Sequence, residues 1–423
     1  MGDRQIVPEP PVRPRTENRI LSEAPPDLAV VLWQYVRHLR DWIDALPSER
    51  RALFHVAPAR WVLEKRQHAR TISGELVDDL MCIEAVLESP LTVEVRQLAG
   101  ACERVAQWAD TQGYRETGIQ FAELAALADP EEPRRANLVG RLTRNASEYA
   151  SAELWLERGI GLARRRADWV EYTRGHLGAG ILCMWSGCES RARQHFNTAS
   201  SIAMREGHEW LAAEAQHDLF HFMTIRGQYV DAEMHARRAL AWYPKHHHRF
   251  PFFAADVAYL LVCQRHYSAA VTVLRCFVQL VQPPQNVLGF SLFVRALASA
   301  GLVEEFERTR EQLFNLLQHH GEHEAGARWH LAYGERAVGS WDSARTNALK
   351  AVDLARLQRD HEMEQLALTV LAEVNAGEPP RPELRRNDRK FKELVDTLTT
   401  RLSNWSPTRR GRSRSLSRAD WAA

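Results

Sequence analysis

The chain has 423 residues, of which 45% are hydrophobic and 26% are charged. These proportions are typical of a folded protein with a buried core, and the length accommodates two or three ordinary domains or one elongated array. The formal net charge of +1 excludes a strongly basic or acidic molecule. Overall electrostatics therefore predict neither a nucleic acid nor a membrane surface as the main partner.

The N-terminal sequence and the cysteines bear on the compartment. MGDRQIVPEPPVRPRTENR carries prolines and charges where a signal peptide needs an apolar run, and Ile6 stands where a myristoylation motif needs Ser or Thr. No stretch of 18 apolar residues predicts a membrane span. The six cysteines lie in helix-like contexts without a CxxC pair, which predicts reduced, mostly buried thiols. We therefore expect a cytoplasmic protein without a membrane partner.

The first part of the chain is predicted to contain a disordered segment and a helical cap. Residues 1–26 are Pro-rich and polar, which predicts disorder. Residues 27–97 are predicted to be helical, because apolar residues recur at helical spacing in LAVVLWQYVRHLRDWIDAL and short breaks at Pro47, Pro58 and Pro90 separate the helices. No convincing run of period-two alternation predicts a strand. We therefore expect an all-α fold.

One pattern recurs about every 38 residues between residues 98 and 377. Its clearest copy is RGQYVDAEMHARRALAWYP, in which Gly227 opens a turn and Ala232 occupies a marker position on the following helix. Small residues in a common register let neighbouring helices approach closely, whereas alanine used only as a helix former would show no common register. The sequence therefore predicts about seven stacked helix pairs. The positions equivalent to Ala232 are Thr117, Ala152, Ala192, Ala270, Phe306 and Ala344.

This pattern resembles the tetratricopeptide repeat (TPR) family. The family's small residues, glycine-aromatic turn and terminal proline are matched by Gly227, Tyr229, Ala232, Ala239 and Pro244. Bulk replaces a small residue at Phe220, Phe277 and Phe306, and the period exceeds the family's usual 34 residues. The resemblance implies an all-α, right-handed superhelix of stacked antiparallel helix pairs. The longer period is similar to that of TPR-like sensor domains in some bacterial regulators.

The resemblance also implies a binding groove. In the TPR family the first helix of each pair lines a concave face, which binds peptides. The arginines and asparagines of residues 134–145 resemble the family's carboxylate clamp, in which guanidinium and amide donors pair with carboxylate oxygens. The usual clamp relies on lysine and spans several helices, so a solvated basic face is the alternative here. The implied groove residues are Arg134, Asn137, Arg141, Arg144, Asn145, Arg174, Trp185, His217, His221, Tyr259, Arg295, Trp329, Tyr333 and Arg336.

Catalytic and metal-binding motifs are not evident. The sequence has no P-loop, GxSxG, HExxH, or GxGxxG that opens a helix after a strand, so we expect no catalytic residue, no enzymatic activity and no cofactor. His217 and His221 are spaced to share a metal ion on one helix face, but a third ligand is not evident. The histidines of residues 246–248 and 319–323 lie in predicted turns, where solvent readily tolerates histidine. We therefore predict no metal site.

The last 46 residues, 378–423, form a basic segment that is predicted to be largely disordered, apart from one short helix from Phe391 to Leu402. Its arginines alternate with serines and could neutralise phosphates in a sequence-independent manner. A solubilising tail without a partner is the alternative. The candidate polyanion-binding residues are Arg409, Arg410, Arg412, Arg414 and Arg418.

Two functions are consistent with these patterns. The leading hypothesis is a non-enzymatic scaffold or adaptor that binds a peptide or a partner protein in the groove. The alternative is a regulatory sensor of a peptide or small ligand, in which nucleic acid or another polyanion contacts the C-terminal tail. A sensor of this kind normally needs an output domain, and only the region between Pro47 and Pro90 has room for one. Within it, Arg60, Lys65, Arg66 and Arg70 could contact phosphate.

Overall fold

The structure is a computed structural model that describes residues 7–11, 17–54, 60–72, 74–91, 93–282, 286–319, 323–358, 360–384 and 389–406. In these residues the chain forms nineteen α-helices and three short 3-10 helices, and it forms no strand. The predicted all-α class is therefore confirmed for the described chain. The molecule divides into two compact units within α10, after Leu211.

The helices follow the repeat pattern of the sequence. Three helices, α1 to α3, precede seven helix pairs, α4–α5 to α16–α17, and two further helices follow them. The bounds are α1 (Pro26–Asp44), α2 (Arg60–Ile72), α3 (Val77–Glu88), α4 (Val95–Gln112), α5 (Arg115–Ala128), α6 (Pro133–Asn145), α7 (Tyr149–Arg165), α8 (Trp169–Trp185), α9 (Glu189–Arg205), α10 (Glu209–Ile225), α11 (Tyr229–Trp242), α12 (Phe250–Cys263), α13 (Tyr267–Leu280), α14 (Val287–Ser299), α15 (Val303–His319), α16 (Glu324–Ala337), α17 (Trp341–Gln358), α18 (His361–Asn375) and α19 (Arg389–Ser403).

The register deduced from the sequence coincides with burial in the structure. Each of the seven marker positions lies on the second helix of its pair and is fully buried, from Thr117 on α5 to Ala344 on α17. Gly227 has a φ of +71°, the left-handed conformation that ends a helix most easily with glycine. Within each unit, consecutive helices pack against one another in chain order. The architecture is therefore helical and repeat-like.

The first unit has one large core that includes both the N-terminal helices and the first repeats. Trp42 on α1, Phe121 on α5 and Trp155 on α7 belong to the same cluster of buried side chains. The carboxylate of Glu23 accepts hydrogen bonds from the backbone N–H groups of Glu116 and Thr117, at 2.6 and 2.9 Å. It therefore caps the positive end of α5. The N-terminal helices are joined to the repeats by packing and by this cap.

In the second unit, the chain returns from α18 to the turn between α12 and α13. The backbone N–H of Leu384 donates to the carbonyl of Arg265, and the Glu383 carboxylate accepts from the N–H and hydroxyl of Ser268, at 2.6 and 2.9 Å. The following helix α19 packs on α13. It includes the helix predicted from Phe391 to Leu402, so packed structure extends well into the basic segment.

Two further observations concern the environment of the chain. Across the described residues, the helices are too short or too polar for any of them to traverse a lipid bilayer. All six cysteines are free thiols, and of these Cys102 and Cys183 are buried.

Candidate functional site

The basic residues predicted on α6 have acidic partners on α4. Arg134 donates to the carboxylate of Glu103 at 2.8 Å, and Arg141 donates to that of Asp110 at 3.0 Å. Both carboxylates are buried, whereas the Arg134 side chain is 51% exposed. The first two arginines of the predicted clamp therefore lie in a ladder of ion pairs between the first helices of successive pairs.

The other clamp residues also contact neighbouring helices. Asn137 is buried and donates to the backbone carbonyl and the carboxylate of Glu171 on α8, at 2.9 and 3.0 Å. Arg144 donates to the carbonyl of Gly178 at 3.4 Å and to the side-chain oxygen of Asn145 at 3.1 Å. A carboxylate ligand at this end would therefore have to compete with existing acceptors.

Two arginine–tryptophan pairs each join the first helices of successive helix pairs, one between α6 and α8 and one between α8 and α10. The Arg144 guanidinium lies 4.9 Å from the centre of the Trp185 ring, and the Arg174 guanidinium lies 5.6 Å from that of Trp210. Both tryptophans are partly exposed. Stacking on a guanidinium holds an indole ring in place at an exposed site. The resulting surface combines oriented aromatic rings with arginines; we call it the Arg–Trp face, formed by Arg144, Arg174, Trp185 and Trp210.

Sequence reasoning did not identify the acidic partners or Trp210. Glu103 and Asp110 each lie 31 residues before their arginine, which is about one helical turn less than the repeat spacing between Thr117 and Ala152. A search for acids one helical turn beyond the equivalent position on the preceding helix pair would have found them. Trp210 occupies the second position of α10, one residue after its start, and its register equivalent on α8 is near Val170. No repeat signal marks it.

In the second unit the predicted groove residues contact one another. The Arg295 guanidinium lies 3.9 Å from the Tyr333 ring centre and 5.3 Å from that of Trp329. Tyr259 lies 6.1 Å from Trp329, ring centre to ring centre. Trp329 is buried, and burial raises the pKa of both tyrosines. These four side chains therefore form a packed cluster that joins α12, α14 and α16.

Arg336 belongs to the end of the array. It pairs with the carboxylate of Glu373 and donates to the carbonyls of Glu378 and Pro379, at 2.9 and 3.2 Å. Its guanidinium thus provides hydrogen-bond donors for backbone carbonyl groups just after the end of α18, which is a structural role.

His217 and His221 share a carboxylate. His217 is buried, and its Nε2 lies 2.7 Å from Asp256 Oδ2, while its Nδ1 lies 3.0 Å from the Tyr243 hydroxyl. His221 Nδ1 lies 3.9 Å from the same Asp256 oxygen. Burial lowers the pKa of His217 to about 3, so its ring is neutral. Because both of its nitrogens are already in hydrogen bonds, His217 is bound into the core network of α10–α12.

A histidine pair in the first unit predicts loss of stability in acid. His176 and His195 join α8 to α9, with Nδ1 atoms 2.9 Å apart, and burial lowers the pKa of His176 to about 4. The unfolded chain binds this proton at about pH 6.5, so it takes up more protons than the folded chain between pH 6.5 and 4. Stability should be complete above pH 6.5 and fall by up to about 3 kcal/mol as the pH drops toward 4.

Urea unfolding at pH 7 and at pH 5 measures this effect. We expect the wild type to lose more stability on acidification than His176→Leu, because that variant has lost the titrating group. Equal pH dependence in the two proteins would contradict the assignment.

A shallow cavity of about 390 Å³ opens near the start of the first unit. Trp42, Arg50 and Pro90 line it, and the Arg50 guanidinium stacks 3.8 Å from the Trp42 ring centre. None of the predicted groove residues lies there. The arginines predicted to bind polyanions in the tail lie outside the described residues, as do the side chains of Arg60 and Arg70.

Comparison with known proteins assigns no family to this chain, so any functional proposal rests on the contacts described above. No protein-family model matches the chain, and no curated protein matches it either.

Proposed function

We propose that this chain is a non-enzymatic scaffold that binds a peptide or a partner protein along the Arg–Trp face of its first unit. The observation that carries the proposal is that an arginine lies against a partly exposed tryptophan at two successive contacts between first helices, Arg144–Trp185 and Arg174–Trp210. Tryptophan and arginine dominate the binding energy of protein interfaces when a partner removes them from water. As part of the same proposal, the helix pairs wind into a TPR-like right-handed superhelix in the cytoplasm.

Preorganisation supports binding at this face. Each guanidinium already lies near its aromatic ring, and Arg174 also donates to the Glu171 carboxylate at 2.6 Å. A partner therefore pays little conformational entropy to order these side chains. In the second unit, Trp329 is buried and packs against its neighbours. The predicted groove residues there are therefore less accessible to a partner than the Arg–Trp face.

The acidic partners on α4 favour contact through aromatic rings over a carboxylate clamp. A ligand carboxylate would have to displace Glu103 or Asp110, which are buried and already paired. Leaving either carboxylate buried without its arginine would cost free energy. A peptide that lays apolar side chains on Trp185 and Trp210 avoids that cost. We therefore propose an extended, partly apolar segment as the ligand.

Affinity purification of the full chain from its native host tests the proposal. The double variant Trp185→Ala and Trp210→Ala should reduce recovery of the co-purifying partner by about tenfold or more, as expected for loss of interface hot spots. Trp33→Ala is the matched control, because Trp33 on α1 is also partly exposed and stacks with Arg37 at 5.0 Å. Circular dichroism should show that both variants are folded. Equal recovery from the double variant and from the control would refute binding at the Arg–Trp face.

The alternative of a regulatory sensor has less support. The region suggested for its output domain lies in the N-terminal helices, and these share one core with α4, α5 and α7. Such a shared core favours an N-terminal cap on the repeats over a separate DNA-binding or signalling module.

A further inference from the structure

We propose that Glu214, His247 and His248 bind a divalent transition metal ion of the zinc class. One ligand atom from each of these three side chains lies within 4.8 Å of the others. Glu214 lies on α10, and the two histidines lie in the turn between α11 and α12. The site would therefore join the turn before α12 to helix α10, within the second unit. This inference does not depend on the proposed scaffold function.

The distance between two of the ligands fits a shared ion. Glu214 Oε1 and His247 Nε2 are 3.6 Å apart, which is too long for a hydrogen bond. Zinc binds carboxylate oxygen and imidazole nitrogen at about 2.0–2.2 Å, so two ligands at a tetrahedral angle lie about 3.4 Å apart. Only a small adjustment is needed to place one ion between these atoms. His248, the most exposed of the three, would supply the third ligand and leave the fourth position to water.

The turn is held in place from its other side. The Trp405 indole N–H donates to the carbonyl of His247 at 3.2 Å, and the backbone N–H of Ser406 donates to His246 Nδ1 at 3.3 Å. The C-terminal segment thus engages His246 and the backbone of His247. Consecutive residues of the turn face different neighbours, so His246 is excluded from the ligand set.

Electrostatics around the site permit a cation despite the nearby Arg249. Its guanidinium donates to the buried Asp218 at 2.9 Å and lies farther from Glu214, at 3.7 Å. Asp218 therefore balances the charge of Arg249, and the charge of Glu214 remains to attract the metal. The Nδ1 atom of His247 accepts a hydrogen bond from the backbone N–H of Arg249, so it carries no proton and the ring is in the neutral form that metals require.

Metal binding keeps the proton count of His247 unchanged. When Nε2 donates its lone pair to the ion, the single ring proton resides on Nδ1. The backbone N–H of Arg249, 3.3 Å from that nitrogen, then gives up its weak hydrogen bond. Two imidazoles and one carboxylate favour zinc and its neighbours in the first transition row over calcium or magnesium, which prefer oxygen ligands.

Isothermal titration of the full chain with ZnCl2, after treatment with a chelator, tests the site. We expect one ion per chain, and Glu214→Gln and His248→Ala should each weaken binding by about tenfold or more. His246→Ala is the matched control from the same histidine run and should bind zinc as the wild type does. CaCl2 should give no binding at the same concentrations.

Two results would overturn the proposal. One is the lack of zinc binding by folded wild-type protein. The other is binding that His246→Ala and His248→Ala weaken equally while Glu214→Gln leaves it unchanged, since that would show an exposed histidine run without a built site. His248 is partly exposed, so its variant is expected to fold and to keep the test decisive.

Discussion

Replacing Phe196 by alanine should destabilise the first unit by about 3–5 kcal/mol, the usual cost of truncating a buried aromatic side chain. The Phe196 ring is fully buried on α9 and packs directly on Gly180 of α8. A Cβ atom at Gly180 would come within 2.5 Å of this ring. Gly180→Leu alone should therefore also destabilise the unit, by about 1–3 kcal/mol, through overpacking.

The two substitutions should compensate when they are combined. In the double variant the leucine side chain enters the space that Phe196 left, so the loss should be smaller than the sum of the single losses by about 1–3 kcal/mol. Urea unfolding of all four proteins measures this coupling. Leu154→Ala, at an exposed position on α7, should change stability by less than about 0.5 kcal/mol. Additive effects of the Phe196 and Gly180 substitutions would contradict direct packing between them.

The helical repeat pattern could be predicted because its signals are local. A glycine turn and a small residue five positions later are present in neighbouring sequence, and burial of all seven marker positions agrees with that register. Two of the three large residues that departed from the pattern, Phe277 and Phe306, are explained by a glycine on another helix. Phe277 packs on Gly289, where a Cβ atom would lie 2.3 Å from its ring, and Phe306 packs near Gly334, at 3.3 Å. In each contact a large side chain on one helix is matched by a glycine on the other. The spacing of residues along one helix cannot reveal this match.

The candidate site was less predictable because its contacts depend on the relative rotation of helices. The groove arginines could be listed from their helical positions, but the buried acids that pair with Arg134 and Arg141 lie 31 residues earlier in the chain, out of register with the repeat. The contact between Ser268 and Glu383 spans 115 residues and has no counterpart in the repeat. Glu214 and His247 likewise become neighbours only when α10 meets the turn after α11.

Replacing Asp218 by alanine should destabilise the second unit by about 3–5 kcal/mol, the usual cost of breaking a buried ion pair. Asp218 and Arg249 are both buried, with the guanidinium 2.9 Å from the carboxylate. The variant leaves Arg249 in the interior, where Glu214 at 3.7 Å is a more distant acidic neighbour, so the loss should lie toward the lower end of that range. Urea unfolding of the full chain, followed by far-UV circular dichroism, measures it.

Two comparison variants separate pairing from burial. Glu305→Ala removes a partner of Arg275 in an exposed ion pair and should cost less than about 1 kcal/mol, because water screens both charges. Asp218→Leu combined with Arg249→Met removes both buried charges and should recover most of the loss, since an apolar pair requires no desolvation of ions. A loss in Asp218→Ala as small as that in Glu305→Ala would show that water reaches Arg249 once its partner is removed. Failure of the apolar pair to recover stability would instead show that Arg249 also holds α12 through its other contacts.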